Sequence, residues 1–83
     1  MEHLIRESIE VIAYFHNLEV NIIKFKWNNS VYNVSSINSS WKIPSGNLYE
    51  LHFSVTCKKQ NIICELSYNL NDLKWNLIHY DNL

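Results

Sequence analysis

Tyr49-Glu50-Leu51-His52-Phe53-Ser54-Val55-Thr56-Cys57-Lys58 and, a few residues on, Cys64-Glu65-Leu66-Ser67-Tyr68-Asn69-Leu70 alternate apolar and polar side chains without a break. A period of two is the mark of a half-buried β-strand. A two-residue turn at Gln60-Asn61, with Asn61 in the left-handed region, joins the two strands and sets their register. Val55 then faces Leu66, Phe53 faces Tyr68, Leu51 faces Leu70 and Cys57 faces Cys64. On the other face Thr56 meets Glu65, Ser54 meets Ser67 and His52 meets Asn69. A slip of one residue would mix the two sets, so the hairpin is well specified. A third strand follows, with Trp75 and Leu77 on the apolar side.

Working outward, Ile43-Pro44-Ser45-Gly46-Asn47 holds the only proline and the only glycine of the chain and reads as a loop between two β-rich halves. In the first half Ile23, Phe25 and Trp27 alternate with Lys24 and Lys26. Asn28-Asn29 suits a type I′ turn, after which Tyr32 and Val34 face Phe25 and Ile23. The alternation breaks at Ser35-Ser36 before Ile37, which predicts a bulge and a bend, and Trp41 closes the segment. Before Val20 two patterns compete. Leu4, Ile5, Ser8, Ile9, Val11, Ile12, Phe15 and His16 would line one face of a helix, with Glu2, Arg6 and Glu10 at i,i+4 spacing on the other. The run Ile9–Phe15 is rich in β-branched and aromatic residues and favours a strand, with a hairpin loop over His16-Asn17-Leu18-Glu19. The expected fold is all-β: one domain over residues 1–83, a small antiparallel meander of five or six strands curled into a half-open, SH3-like barrel.

With 83 residues there is room for one core, and three Trp, five Tyr and three Phe supply large apolar surface for it. Formal charge is −1 and the seven basic residues are scattered, which leaves no electrostatic footprint for duplex nucleic acid or an anionic membrane. No apolar run approaches a membrane span of about 18 residues. The opening Met1–Glu10 carries acid where a signal peptide needs base, and the expected address is the cytoplasm. Twelve Asn and ten Ile against one Gly and one Ala indicate A·T-rich codon bias, so Asn fills turn positions usually given to Gly. The triplets at Asn28, Asn33 and Asn38 are then chance matches to a glycosylation signal.

Ile9-Glu10-Val11, then Phe25, Trp27, Tyr32 and Val34, then Trp41, and at the end Glu65-Leu66, Trp75, Leu77 and Tyr80-Asp81 form a recognisable series. It resembles a family of small bacterial β-domains of unknown function that carry I-E-V, F-x-W-x-G-x-x-Y-x-V, a Trp, W-x-L and a terminal Tyr-Asp. Asn29 and Asn61 stand where that family has turn glycines. Similar segments occur at the C-terminal ends of some Y-family DNA polymerase-like proteins. That resemblance implies an appended docking or nucleic-acid-associated module.

The candidate chemistry is thin. Cys57 and Cys64, opposite each other on the buried face, are a candidate redox pair, although buried thiols without a cationic neighbour behave as small hydrophobes. Zinc would need two more ligands. His79, in phase with Trp75 and Leu77, could approach, but His52 belongs to the opposite face and no metal-binding spacing exists. Ser54, His52 and Glu50 share one exposed strand face, yet nothing supplies a nucleophile elbow or an oxyanion loop. With one glycine there is no phosphate loop. No catalytic residue, cofactor or metal is expected. Of the aromatics Trp27, Tyr32, Trp41, Trp75 and Tyr80, Trp41 and Tyr80 are the least committed to the core. Trp41-Lys42, at what reads as a loop edge, and Tyr80 are therefore the candidate partner contacts. The favoured function is a non-catalytic protein-interaction module, self-associating or bound to another protein through an exposed strand edge or the Trp41 loop. The alternatives are a single-strand nucleic-acid-binding barrel, which wants Lys24, Lys26 and Lys42 on one surface near Trp41, and a redox-sensitive domain.

Overall fold

A computed structural model describes residues 3–83, with side chains from residue 5 onward. The described residues form eight strands and no helix: β1 His3–Ser8, β2 Glu10–His16, β3 Glu19–Trp27, β4 Ser30–Asn33, β5 Ser36–Ser45, β6 Leu48–Cys57, β7 Ile62–Asn69 and β8 Lys74–Asn82. The N-terminal segment is therefore strand, as its β-branched content favours. Glu2, one of the charges of the helical alternative, lies outside the described residues. The strands make two antiparallel sheets that do not close into a barrel, one of five strands in the order β1-β8-β7-β6-β5 and one of three in the order β2-β3-β4.

Eight strands arise from the expected five or six because two of them are cut by corners. The N-terminal strand breaks at Ile9, where β1 leaves the five-stranded sheet and β2 enters the smaller one. The strand after the Asn28-Asn29 turn breaks at Val34-Ser35, and β5 returns to the far edge of the larger sheet. The bend expected at Ser35-Ser36 is this change of sheet. Ser35 secures it by donating its N–H to the Thr56 carbonyl at 2.7 Å and accepting from the Lys58 N–H at 2.8 Å. A true bulge follows in β5, where the register shifts between Ile37 and Ser39. Strands that pass between packed sheets turn through bends of this kind.

The core lies between the sheets. Phe53, Val55, Cys57, Cys64, Leu66 and Leu77 of the larger sheet pack against Ile9, Ile22 and Phe25. Phe25 stacks on Tyr32 at 5.2 Å within the smaller sheet, and Trp27 tilts onto Tyr80 at 5.4 Å, an aromatic pair that joins the two layers. Val31 accepts a hydrogen bond from the Gln60 side chain, a second tie between the sheets.

The β6–β7 hairpin keeps its faces but not its register. Phe53 pairs with Leu66, Val55 with Cys64, Leu51 with Tyr68 and Cys57 with Ile62. The loop holds four residues, Lys58 to Asn61, rather than two. Asn61 does take the left-handed conformation, at φ 62°. Two added loop residues shift each partner by two positions, and a shift of two leaves every side chain on the same face. Across the polar face Ser54 now meets Glu65, His52 meets Ser67 and Glu50 meets Asn69. The Asn28-Asn29 turn forms as expected, with both residues at positive φ (54° and 64°) and Phe25 opposite Tyr32. Ile23, expected inside, is half exposed, because the β2–β3 register shifts opposite it and Ile22 takes the buried place. The presumed loop Ile43–Asn47 shrinks to Gly46-Asn47, with Gly46 at φ 58°, and β5 runs on through Pro44.

Candidate functional site

The outer face of the five-stranded sheet carries a connected group of titratable side chains. β6 contributes Glu50 and His52 at i and i+2, the spacing that puts both on one face. β7 contributes Glu65 on the same side, and β8 contributes His79. His52 Nδ1 lies 2.6 Å from Glu65 Oε2 and its Nε2 lies 3.0 Å from Glu50 Oε1. The other Glu65 oxygen is 2.8 Å from His79 Nε2. Glu50 is held from its far side by the Asn69 amide, which donates to Oε2 at 3.3 Å. The result is a hydrogen-bonded chain from Asn69 through Glu50, His52 and Glu65 to His79.

His52 is only 5% exposed, although it sits on the face that composition marks as polar. Its cover is Trp41 of β5, directly across the ladder, whose ring stacks on the imidazole at 5.7 Å with an interplanar angle of 23°. A buried polar group needs its hydrogen bonds made inside the protein, and both ring nitrogens of His52 have a carboxylate. No nitrogen of that ring is left to activate Ser54, so the arrangement of Ser54, His52 and Glu50 along one strand is not a nucleophilic relay. Ser39, Trp41, Ser54, Ile63, Glu65, His79 and Asp81 line an open groove of about 330 Å³ above this chain.

His79 reaches the group because of a bulge. The β7–β8 register shifts between Glu65 and Leu66, so Leu77 pairs with Leu66 and His79 with Glu65. Ile78 is the extra residue, and it reverses the phase of everything after it. His79 therefore leaves the apolar side expected for it, moves away from the thiols and joins His52. The signal was present in Leu77-Ile78, two adjacent apolar residues in an alternating strand. Among the described residues no three of His, Cys, Asp and Glu converge in a metal-ligating arrangement.

The thiols are placed differently from expectation. Cys57 and Cys64 are both free and both fully buried, but they occupy diagonal rather than opposite positions. Diagonal cross-strand neighbours lie roughly 7–8 Å apart, beyond the usual reach of a disulfide. Side-chain hydrogen bonding with Cys57, then burial and the neighbouring charge of Cys57, push the Cys64 thiol far up, while the same pairing lowers Cys57. Tyr32 lies over them, its hydroxyl raised by burial and then by Cys64, Tyr80 and Cys57.

The candidate contact residues separate. Trp41 is 39% exposed and stands in the interior of β5, the unpaired edge of the larger sheet, not in a loop. Lys42 points to the other side of the same strand, with its ammonium 5.2 Å from the centre of the Tyr49 ring. Tyr80 is half-buried against the core beside Trp27, across the sheet from Trp41. Lys24 and Lys26 line a depression on the three-stranded sheet with Glu10, Ile12 and Val31, away from Trp41.

No protein-family model, no curated protein and no solved structure compared with this chain matches it. No helix among the described residues is long and apolar enough to cross a membrane.

Proposed function

We propose that this domain is a non-catalytic, cytoplasmic protein-interaction module that receives an extended strand along β5. One observation carries the reading. β5 is ten residues long, has a neighbour on one side only, and holds Trp41 at its middle with much of the ring in solvent. Between the register shift after Ile37 and Pro44 this edge leaves Ser39–Ile43 open as a template for a partner strand. Strand addition takes its affinity from the main chain and its selectivity from neighbouring side chains. Trp41, braced from beneath by the buried His52 and its two carboxylates, is a rigid aromatic anchor of the kind enriched at binding hot spots.

Selection of a random peptide library on the immobilised domain tests this. The expected ligands are extended peptides that bind the wild type and are lost with Trp41→Ala. A library that yields no ligand sensitive to changes in β5 overturns the reading. The nucleic-acid alternative asks for cations around Trp41. Lys42 adjoins Trp41 in β5, but Lys24 and Lys26 stand on the other sheet.

A further inference from the structure

The free edge of β5 has an internal symmetry. The Tyr49 carbonyl turns toward β7, where it accepts from the Leu70 N–H at 3.0 Å. Hydrogen-bonded and non-bonded pairs alternate in an antiparallel ladder. Ser45, Ile43, Trp41 and Ser39 therefore bond to β6, whereas Pro44, Lys42 and Ser40 turn their main-chain groups outward. Pro44 sits at an outward position, where its missing N–H costs the sheet nothing. It also ends the usable edge on that side. On the other side the edge ends at the bulge between Ile37 and Ser39. Pro44 and Asn38 are equidistant from Trp41.

We propose that the strand received by β5 is the β5 of a second copy, antiparallel, with the two-fold axis passing beside Trp41. The inference rests on the strand-addition reading and names its partner. In this register Ser40 pairs with Lys42 of the second copy and Lys42 with its Ser40, and each pair exchanges two main-chain hydrogen bonds. Trp41 faces its own counterpart as a non-hydrogen-bonded pair, the closer kind. Ile43 faces Ser39. The interruptions at Pro44 and Asn38 fall opposite each other, so each copy's defect meets the other's and none lies inside the paired segment.

Charge selects this register over its neighbour. Shifting the copies by two residues sets Lys42 directly against Lys42 and brings Pro44 into the ladder, and like charges directly opposite are destabilising. A net formal charge of −1 leaves little overall repulsion between copies. A two-fold contact uses up the β5 edge and closes. The opposite edge of the sheet does not continue the assembly, because β1 is broken by a register shift between Leu4 and Glu7, with Arg6 at φ 56°. The paired segment is only Ser39 to Ile43. Its area is below the roughly 1,200 Å² of a standard interface, so the dimer dissociates on dilution.

Three measurements test the register. Sedimentation equilibrium from micromolar to millimolar concentration should show a monomer passing to a dimer and no larger species. Amide exchange at Ser40 and Lys42 should slow by about tenfold or more over that range, while Trp41 and Ile43, already bonded to β6, stay protected throughout. Trp41→Cys should oxidise to a crosslinked dimer, since Cα atoms of a non-hydrogen-bonded pair lie about 4.5 Å apart. Ile43→Cys alone should not crosslink, yet a mixture of Ile43→Cys and Ser39→Cys chains should. Ser40→Pro, which deletes an outward donor and no bond to β6, should leave a folded monomer. A chain that stays monomeric at millimolar concentration overturns the second copy as partner. A dimer that fails the crosslinking pattern, or whose Ser40 and Lys42 amides gain no protection, overturns it as well. Peptide ligands lost with Ser40→Pro in a strictly monomeric chain would leave the strand-addition reading standing and remove only the self-pairing.

Discussion

The two sheets hold their residues in different ways. In the larger sheet Val55, Cys57, Leu66 and Leu77 are sealed from solvent on the inner face, and a chain of hydrogen bonds ties β6, β7 and β8 together on the outer one. The smaller sheet buries only Ile22 and Phe25 fully, and its outer side leaves Ile12, Tyr14, Ile23 and Val31 about half exposed. One sheet is secured on both faces and the other on one. Local stability follows the density of buried contacts, so the three-stranded sheet should behave as a cover that opens before the five-stranded sheet unfolds.

The largest effects should come from the core. Phe25→Ala removes the main plug of the smaller sheet, along with its stack on Tyr32, and should cost about 3–5 kcal/mol. Leu66→Ala, at the centre of the larger sheet, should cost about 2–5 kcal/mol. The two should differ in pattern. With Phe25→Ala, amide protection in β2–β4 falls further than in β6–β8. With Leu66→Ala all strands lose protection together. Equal losses everywhere in Phe25→Ala would show that both sheets open as one unit.

That division also decides what could be read from the amino-acid sequence. Alternation fixes which face a residue takes, and Phe53, Val55, Cys57, Cys64 and Leu66 lie inward as it predicts, while Ile62, which joins the core opposite Cys57, lies before the alternating stretch. Alternation is silent about shifts of two, which is why Phe53 meets Leu66 rather than Tyr68. The corners at Ile9 and Val34-Ser35 depend on how one sheet closes over the other, and such contacts leave no local period. Of the polar group on the outer face, Glu50 and His52 could be placed from their strand. The position of His79 hangs on one extra residue at Ile78, and the burial of His52 on a tryptophan from β5.

Removing His52 should have the next largest effect. In His52→Ala, Glu50 loses its imidazole partner, Glu65 keeps only His79, and Trp41 loses its support. Leaving part-buried groups unsatisfied should cost about 1–3 kcal/mol, read as a lower urea midpoint. Near-ultraviolet circular dichroism should report the freed Trp41 independently. A variant with wild-type stability would mean that the outer face of the larger sheet contributes no more than that of the smaller one.

Alkaline pH offers a reversible way to loosen the layers. The Cys64 thiol is raised above its ordinary 9.0, chiefly by its bond to Cys57 and then by burial, and the Tyr32 hydroxyl is raised above 10.0, chiefly by burial. The same pairing lowers the Cys57 thiol and acts in the opposite sense, but the folded state favours the protonated forms of Cys64 and Tyr32. This contribution is complete below the ordinary thiol value and declines as pH rises past it. The urea midpoint should fall as pH rises past about 9, and Cys64→Val, which also removes the partner that lowers Cys57, should fall less steeply. An unchanged slope in that variant would place the alkaline sensitivity outside the thiol pair.

The smallest effect concerns two loops of equal length in the same sheet. Lys58 to Asn61 and Leu70 to Leu73 each hold four residues, and each ends on a left-handed residue, at φ 62° and φ 61°. The first ends in Asn and was anticipated. The second ends in Leu, which nothing in a propensity scale would put there. A β-carbon in that conformation costs roughly 1–2 kcal/mol, least for Asn, whose short side chain bonds locally. Leu73 is largely exposed, so its side chain returns little packing in exchange. Leu73→Asn should accordingly stabilise the protein by a few tenths to about 1 kcal/mol. Asn61→Leu should destabilise it by a similar amount. If both substitutions destabilise, Leu73 makes contacts that outweigh its backbone strain, and the two loops are less alike than their backbone angles suggest.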